Sequence, residues 1–318
     1  MSLFDKYNVM LAPMAGITNL PFRLICEDLG CDLAFSEMVS SMGLTFANQK
    51  TKRLIDSVPK EKKLGVQLFG HDPKIMSEQA KKVQFELEEK LSHIDINMGC
   101  PARKIIKKGD GASLMKNPAL ASKIVSSIKK GIDIPLSVKF RRGFYEGEET
   151  CVEFAKIMEE SGADAICVHG RFAMQYYKGS SDMQAIKRVK ESVKVPIIGN
   201  GDIFTWEDYS QMIETTKCDA VLIARGATKN PLLFRQIKEY MSGLIPQEIS
   251  IKDRMDIAIK HAQMIENLKG DHPNISFLQF RKQAMNYCEG IPGAKVARTS
   301  ICKATTCSQF VKIFSDLS

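Results

Sequence analysis

Between residue 9 and about residue 240 the chain repeats one alternation eight times, a short and almost wholly apolar run followed by a longer amphipathic stretch. The apolar runs are Val9–Met14, Leu33–Glu37, Leu64–Phe69, Ile94–Asn97, Leu136–Phe140, Ala165–His169, Val195–Gly199 and Ala220–Ile223. Near-continuous apolar runs of this length read as parallel strands buried on both faces, because half-exposed strands would alternate. Helical patterns lie between them, as at Pro73–Lys90, Pro118–Lys130, Thr150–Ser161 and Thr205–Glu214. Pro73 and Pro118 fall at helix starts, where the missing N–H costs nothing. Gly131 and Gly162 fall where helix ends favour a left-handed residue. Eight such units, with polar and glycine residues after most strands, predict an α/β chain closed into a (β/α)8 TIM barrel. A doubly wound open sheet shows the same alternation and is the structural rival.

Past Leu244-Ile245-Pro246 the pattern changes. Segments 250–269, 273–289 and 303–316 read as helices, with no strand among them. The expected organisation is a barrel over 1–243 and a small C-terminal helical domain over 244–318. Hydrophobic residues at 44% and charged residues at 26% argue against disorder. The start, MSLFDKYNVMLAPMAG, lacks the basic and apolar regions of an export signal. No uncharged apolar run reaches the roughly 18–20 residues of a membrane span, so a cytoplasmic protein is expected. The nine cysteines contain no CxxC pair, which argues against a disulfide framework or a zinc ribbon. No metal site is expected, and most of the thiols read as core fillers. A net charge of +8 suits a polyanionic partner.

Barrel enzymes carry their chemistry at the carboxyl ends of the strands. The first run ends in Pro13, Met14 and Ala15, small enough for a flat ligand to approach the backbone, or simply a tight turn. The third carries Gln67, whose amide needs partners, whether a uracil-like ligand edge or the core itself. After the fourth come Asn97 and Cys100, with Pro101 fixing the chain behind them. A thiol on such a loop is either an acid facing a substrate or an inert buried group. Lys139 sits inside the apolar fifth run, where a cation is costly unless it meets an anion, a polar ligand or a carboxylate such as Asp95. The sixth ends in His169 and Arg171, beside Phe172, Tyr176 and Tyr177. The seventh and eighth end in Asn200-Gly201-Asp202 and Ala224-Arg225-Gly226, glycine-bearing loops at the recurring phosphate cradle of such barrels. Arg103 and Lys104, with Lys107 and Lys108, form a basic rim beside Cys100 that Arg281, Lys282 and Arg298 extend in the tail.

Taken together, APMAGITNLPFR, SEMVSS, DINMGCPARK with the following GASLM, LSVKFRRG, VHGR, IIGNGDI and ARGATKNPLLF resemble the tRNA-dihydrouridine synthases, nearest the bacterial B-type branch. The motifs run in family order from residue 9 to about 240, and NMGCP followed by GASLM is the most specific. The resemblance implies an FMN barrel, NADPH as hydride source, tRNA as partner and a tail that grips it, the protein acting as a monomer. It implies FMN contacts from Pro13, Met14, Ala15, Gln67, Lys139, His169, Asn200, Gly201, Asp202, Ala224 and Arg225. Cys100 becomes the acid, and Asn97, Arg103, Lys104, Arg171, Arg281, Lys282 and Arg298 the substrate contacts. The family usually has glycine where this chain has Ala224. A small-molecule flavin reductase of the dihydropyrimidine or dihydroorotate dehydrogenase type is the alternative, with no evident use for a basic tail. A non-catalytic RNA-binding barrel would leave Cys100 and both glycine loops without a purpose.

Overall fold

The computed structural model describes residues 6–46 and 48–318. Residues 1–5, part of the segment read above as lacking an export signal, lie outside the described residues. The expected strands form where the apolar runs lie: β1 Val9–Leu11, β2 Leu33–Phe35, β4 Leu64–Phe69, β5 Leu91–Met98, β6 Leu136–Gly143, β7 Ala165–Phe172, β8 Ile197–Asn200 and β9 Ala220–Ile223. A two-residue strand not expected from the sequence, β3 Val39–Ser40, extends the pairing of β4 beyond the end of β2. Every pairing is parallel, and the bond between β2 and β4 (Ala34 opposite Leu64) closes the sheet into a barrel. Closure leaves no open edge and removes the doubly wound alternative.

Strands β6 and β7 run longer than the apolar pattern because polar residues continue the ladder at the mouth, through Arg141 and Arg171, whereas β5 gains Leu91–His93 at its start and Met98 at its end. Side chains alternate across the wall with period two. One set packs outward into the main core against the helices. The other fills the barrel, and its apolar part (Met10, Leu33, Phe35, Cys167, Ile198, Leu222 and neighbours) forms a separate cluster. Opposite it the barrel interior is polar, because the inward set of β4, β5 and β6 supplies Gln67, Asp95, Asn97, Ser137 and Lys139.

The helix starts follow their local signals. Asp72 and Asn117 cap the helices opened by Pro73 and Pro118, each accepting from a first-turn N–H. Gly162 has φ +101°, as a helix end requires. Gly131 is not among the residues of positive φ. A Cβ there would lie 2.6 Å from Lys81 Cε and 2.8 Å from Ser77 Oγ, so the glycine lets these side chains of the neighbouring helix lie close to the chain.

Residues 244–250 carry no helix or strand, and four helices follow: Ile251–Leu268, Phe277–Tyr287, Ala294–Lys303 and Cys307–Ser315. The sequence pattern missed Ala294–Lys303, which is mostly exposed and buries only Ala297 and Ile301. The helices pack on aromatic pairs, Phe277 stacking on Phe310 at 5.4 Å. They dock on the barrel's first helix, Leu20–Asp28, where Phe22 stacks on His261 at 5.8 Å and Lys260 pairs with Asp28 at 2.8 Å. One apolar cluster runs from barrel wall into these helices. No helix among the described residues is long and apolar enough to cross a membrane.

Candidate functional site at the barrel mouth

At the carboxyl end of the strands lies a cavity of about 420 Å³. Strand parity decides what faces it. On β6 the inward set is Ser137, Lys139 and Arg141, whereas Arg142 points outward and pairs with Glu149 and Asp182. The sequence reading passed over Arg141 because the Arg141-Arg142 pair offers no choice until parity is known. Asn286 was also missed. It follows Lys282 by one helical turn, and both line the cavity from the C-terminal helix Phe277–Tyr287.

All eleven residues expected to hold a cofactor line this one space, together with Asn97, Cys100 and Lys282. The other expected contacts sit elsewhere. Arg103 and Lys104 are exposed on the short helix Arg103–Ile106, and Arg298 is exposed on the tail. Arg281 donates to the carbonyl of Ala304 at 3.0 and 3.1 Å, tying two tail helices together. Arg171 lies within the wall, its side chain only 2% exposed. Its guanidinium is taken up by Asp202 at 2.6 and 2.7 Å and by the carbonyls of Lys178 and Gly179.

The Cys100 turn is held from three sides. Asn97 Oδ1 accepts from the N–H groups of Gly99 and Cys100 at 3.2 and 2.9 Å. Arg141 Nε donates to the Gly99 carbonyl at 2.8 Å. The Cys100 carbonyl accepts from Ala112 N at 3.0 Å, which explains why the GASLM segment follows the cysteine loop. Burial pushes the thiol above its ordinary value, only partly offset by the Ala102 N–H and the charges of Arg141 and Lys139. Cys100 is therefore a thiol at neutral pH. Six of the nine cysteines are buried outright, whereas Cys100 is half-buried at the cavity.

The cavity's remaining polar wall is cationic. Lys139 Nζ donates to Asn200 Oδ1 at 2.9 Å rather than pairing with Asp95, and burial lowers its pKa. Burial likewise brings Arg141 down to about 10. His169 falls well below its usual range through burial and the positive charges of Lys139, Arg141, Arg171 and Arg225, so it is a neutral imidazole. Burial would raise Asp202, but hydrogen bonds from Arg171 and Ser181, with the charges of Arg171 and Arg225, hold it below the ordinary carboxylate value. An anion entering here would relieve the unfavourable concentration of cations.

The two glycine loops pack tightly. A Cβ on Gly201 would lie 2.3 Å from Ser181 Oγ, and one on Gly226 would lie 2.1 Å from the Ile203 carbonyl. Helix Arg225–Lys229 starts directly after β9, so its first amides have no intrahelical acceptor. Ala224 has φ −113°, outside the region that needs glycine, and its methyl brings no left-handed strain. Gln67 is satisfied within the protein by Asp95 and Asn97 while its side chain still borders the cavity. Of the aromatics after β7, Phe172 is buried under Arg142, whereas Tyr177 is 57% exposed and lies 4.7 Å from the Arg225 guanidinium.

Residues 10–316 match the family described as "Dihydrouridine synthase (Dus)". Similar relatives include tRNA-dihydrouridine synthase B of Vibrio vulnificus, 35% identical over 268 residues, covering 84% of this chain and 82% of that protein. The protein of the same name from Pasteurella multocida is 35% identical over 294 residues, covering 92% and 87%. A probable tRNA-dihydrouridine synthase of Rickettsia bellii is 34% identical over 296 residues, covering 92% and 89%. Among solved structures, histamine dehydrogenase from Rhizobium sp. 4-9 superposes with a TM-score of 0.53 at 13% identity, over 81% of this chain and 49% of that one, a likeness of fold alone.

Proposed function

Because this chain belongs to the dihydrouridine synthase family, we propose that it reduces the carbon 5–carbon 6 double bond of uridine in tRNA, with FMN in the barrel mouth, NADPH as reductant and Cys100 as proton donor. One observation carries the reading: a protonated thiol and a cationic wall share a single cavity of about 420 Å³. That volume lies within the roughly 300–1,000 Å³ of cofactor pockets.

The residues fit the cofactor by their chemistry. Lys139 and Arg225 are cations suited to an anionic isoalloxazine edge and a phosphate. The packed loops at Gly201 and Gly226 leave backbone rather than side chain to meet the phosphate, and Pro13, Met14 and Ala15 offer a low wall for a flat ring. Bound and reduced by NADPH, FMN would supply the hydride equivalent for carbon 6 of the uracil ring.

The protein's own groups do the rest. Negative charge then develops toward carbon 5, and Cys100 Sγ delivers its proton there. Its raised pKa keeps that proton available at neutral pH. Asn97 holds the cysteine turn through two backbone N–H groups. The cations at the mouth stabilise the developing charge. A uridine in folded RNA must leave its stack to enter, at a cost of a few kcal/mol. Phosphate contacts from Arg103, Lys104, Lys282 and Arg298, with the 244–318 helices as the gripping unit, would offset it. Lys282 and Asn286 enter the cavity wall from that helical region, which favours a macromolecular substrate over the small-molecule alternative.

The test is Cys100→Ala. The purified variant should keep a yellow FMN spectrum and lose dihydrouridine formation by about 10²–10⁴-fold. Full activity would rule out the acid, and a colourless wild-type protein would rule out the cofactor.

A further inference from the structure

A directed hydrogen-bond chain inside the barrel ends on the backbone of Cys100. Asp95, 2% exposed on β5, accepts from Ser137 Oγ at 2.5 Å and from Gln67 Nε2 at 2.6 Å. Gln67 Oε1 accepts from Asn97 Nδ2 at 2.7 Å, and Asn97 Oδ1 accepts from Cys100 N at 2.9 Å. The direction is imposed at both ends, since a carboxylate only accepts and a backbone N–H only donates. Gln67 must give its nitrogen to Asp95 and its oxygen to Asn97, and Asn97 must then turn its oxygen to the cysteine turn. Without an acceptor at residue 95, Gln67 Nε2 has nothing to fix it, the Gln67 oxygen no longer braces the Asn97 NH₂, and Asn97 holds Gly99 and Cys100 from a looser side chain.

We propose that Asp95 is a positioning residue, fixing the direction of the Gln67–Asn97 pair and thereby holding the Cys100 thiol at the barrel mouth. Its catalytic consequence rests on Cys100 being the proton donor. The positioning rests on the geometry alone. Neighbouring elements face Asp95 with Gln67 from β4, Ser137 and Lys139 from β6, and Cys167 from β7. Lys139 donates to Asn200, and the carboxylate accepts from Gln67 and Ser137. Burial pushes Asp95 up to about 6, so its charge is disfavoured here, but an apolar residue in its place leaves Gln67 Nε2 and Ser137 Oγ without their acceptor, at a cost to stability.

The test reads each cysteine by peptide mass spectrometry after iodoacetamide treatment at one pH. Asp95→Asn keeps an acceptor for Gln67 while its new amide donates to Ser137, so Cys100 should react within about twofold of wild type. Asp95→Leu should free the turn, raising Cys100 alkylation about tenfold, the equivalent of one hydrogen bond of about 1.4 kcal/mol. Buried Cys26 and Cys151 should stay protected, and kcat should fall at unchanged KM for tRNA. An unchanged Cys100, an equal rise at Cys26 and Cys151, or an asparagine variant behaving like leucine would overturn the proposal. Should the leucine variant not fold, Gln67→Met breaks the same link with a side chain of similar volume and should raise Cys100 alkylation likewise. An unchanged Cys100 rate in that variant would overturn the idea. Failure of the proton-donor reading appears separately, as full tRNA activity of Cys100→Ala, and leaves the alkylation pattern untouched.

Discussion

Gly111→Ala should injure both stability and catalysis, because the glycine touches the cysteine turn itself. Gly111 has φ +60°, and a Cβ there would lie 2.8 Å from the Cys100 carbonyl oxygen, 2.8 Å from Ile105 Cγ2 and 3.2 Å from Cys100 Cβ. The left-handed backbone alone costs alanine about 1–2 kcal/mol. Overlap with fixed backbone adds about 1–3 kcal/mol, since the Cys100 carbonyl is already bonded to Ala112 N and cannot swing away freely. The total is about 2–5 kcal/mol, and whatever the fold does not absorb moves Cys100. Gly109→Ala is the control. Its φ is +88°, yet its Cβ would meet only the His71 ring at 3.7 Å, an ordinary contact, so the backbone cost of about 1–2 kcal/mol stands alone. Urea unfolding gives the two stabilities, and dihydrouridine formation at a temperature where both variants are folded gives the activities. Gly111→Ala should be the less stable and at least tenfold less active, with Gly109→Ala near wild-type activity. Equal behaviour of the two variants would refute the claim that GASLM serves to hold the cysteine.

Glu61→Ala should cost about 3–5 kcal/mol in denaturant unfolding, because it strands the Arg23 guanidinium, 1% exposed and 2.6 Å from Glu61, without its counter-charge. Adding Arg23→Met should recover most of that loss. Stability should be flat near pH 7 and fall below about pH 6. Burial holds His93 and His261 at about 3 and His169 well below its normal range, so their stabilising neutrality is complete above the unfolded value of about 6.5 and drains as pH drops. Asp95 and Glu27, raised by burial to about 6 and 7, and Glu37, raised likewise, act oppositely, since acid relieves their buried charge. That relief ends near the ordinary carboxylate value of about 4, whereas the three imidazoles lose about 1.4 kcal/mol per pH unit each from about 6.5 downward. A thermal midpoint that rises steadily from pH 7 to 5 would contradict this balance. Lys282→Ala should keep the flavin, raise KM for tRNA several-fold and reduce the salt dependence of binding by about one unit of log–log slope. An unchanged slope would remove Lys282 from the RNA contact.

Much of this was legible before folding. The eight apolar runs specify the barrel because a strand covered on both faces must be apolar along its length. NMGCP, GASLM and the two glycine loops mark the mouth because their residue types answer local demands of turn and cavity. Strand ends were misjudged where polar side chains carry the ladder onward into the site, as at Arg141 and Arg171. Ala294–Lys303 was missed because it buries too little to leave an apolar stripe.

The order of residues along the chain therefore determined the architecture, the cysteine loop and the set of groups at the strand ends. Closure of the sheet decided their roles. It assigned Arg141 to the cavity and Arg142 to the outer surface and enclosed Arg171 against Asp202, while docking of the tail helices brought Lys282 to the barrel mouth. Closure also joined Asp95, Gln67 and Asn97 into one directed chain. The physical reason is that composition and periodicity report which residues shun water, whereas a polar group's role depends on which donors and acceptors lie within about 3 Å. Those neighbours come from other strands, and only the folded barrel brings them together.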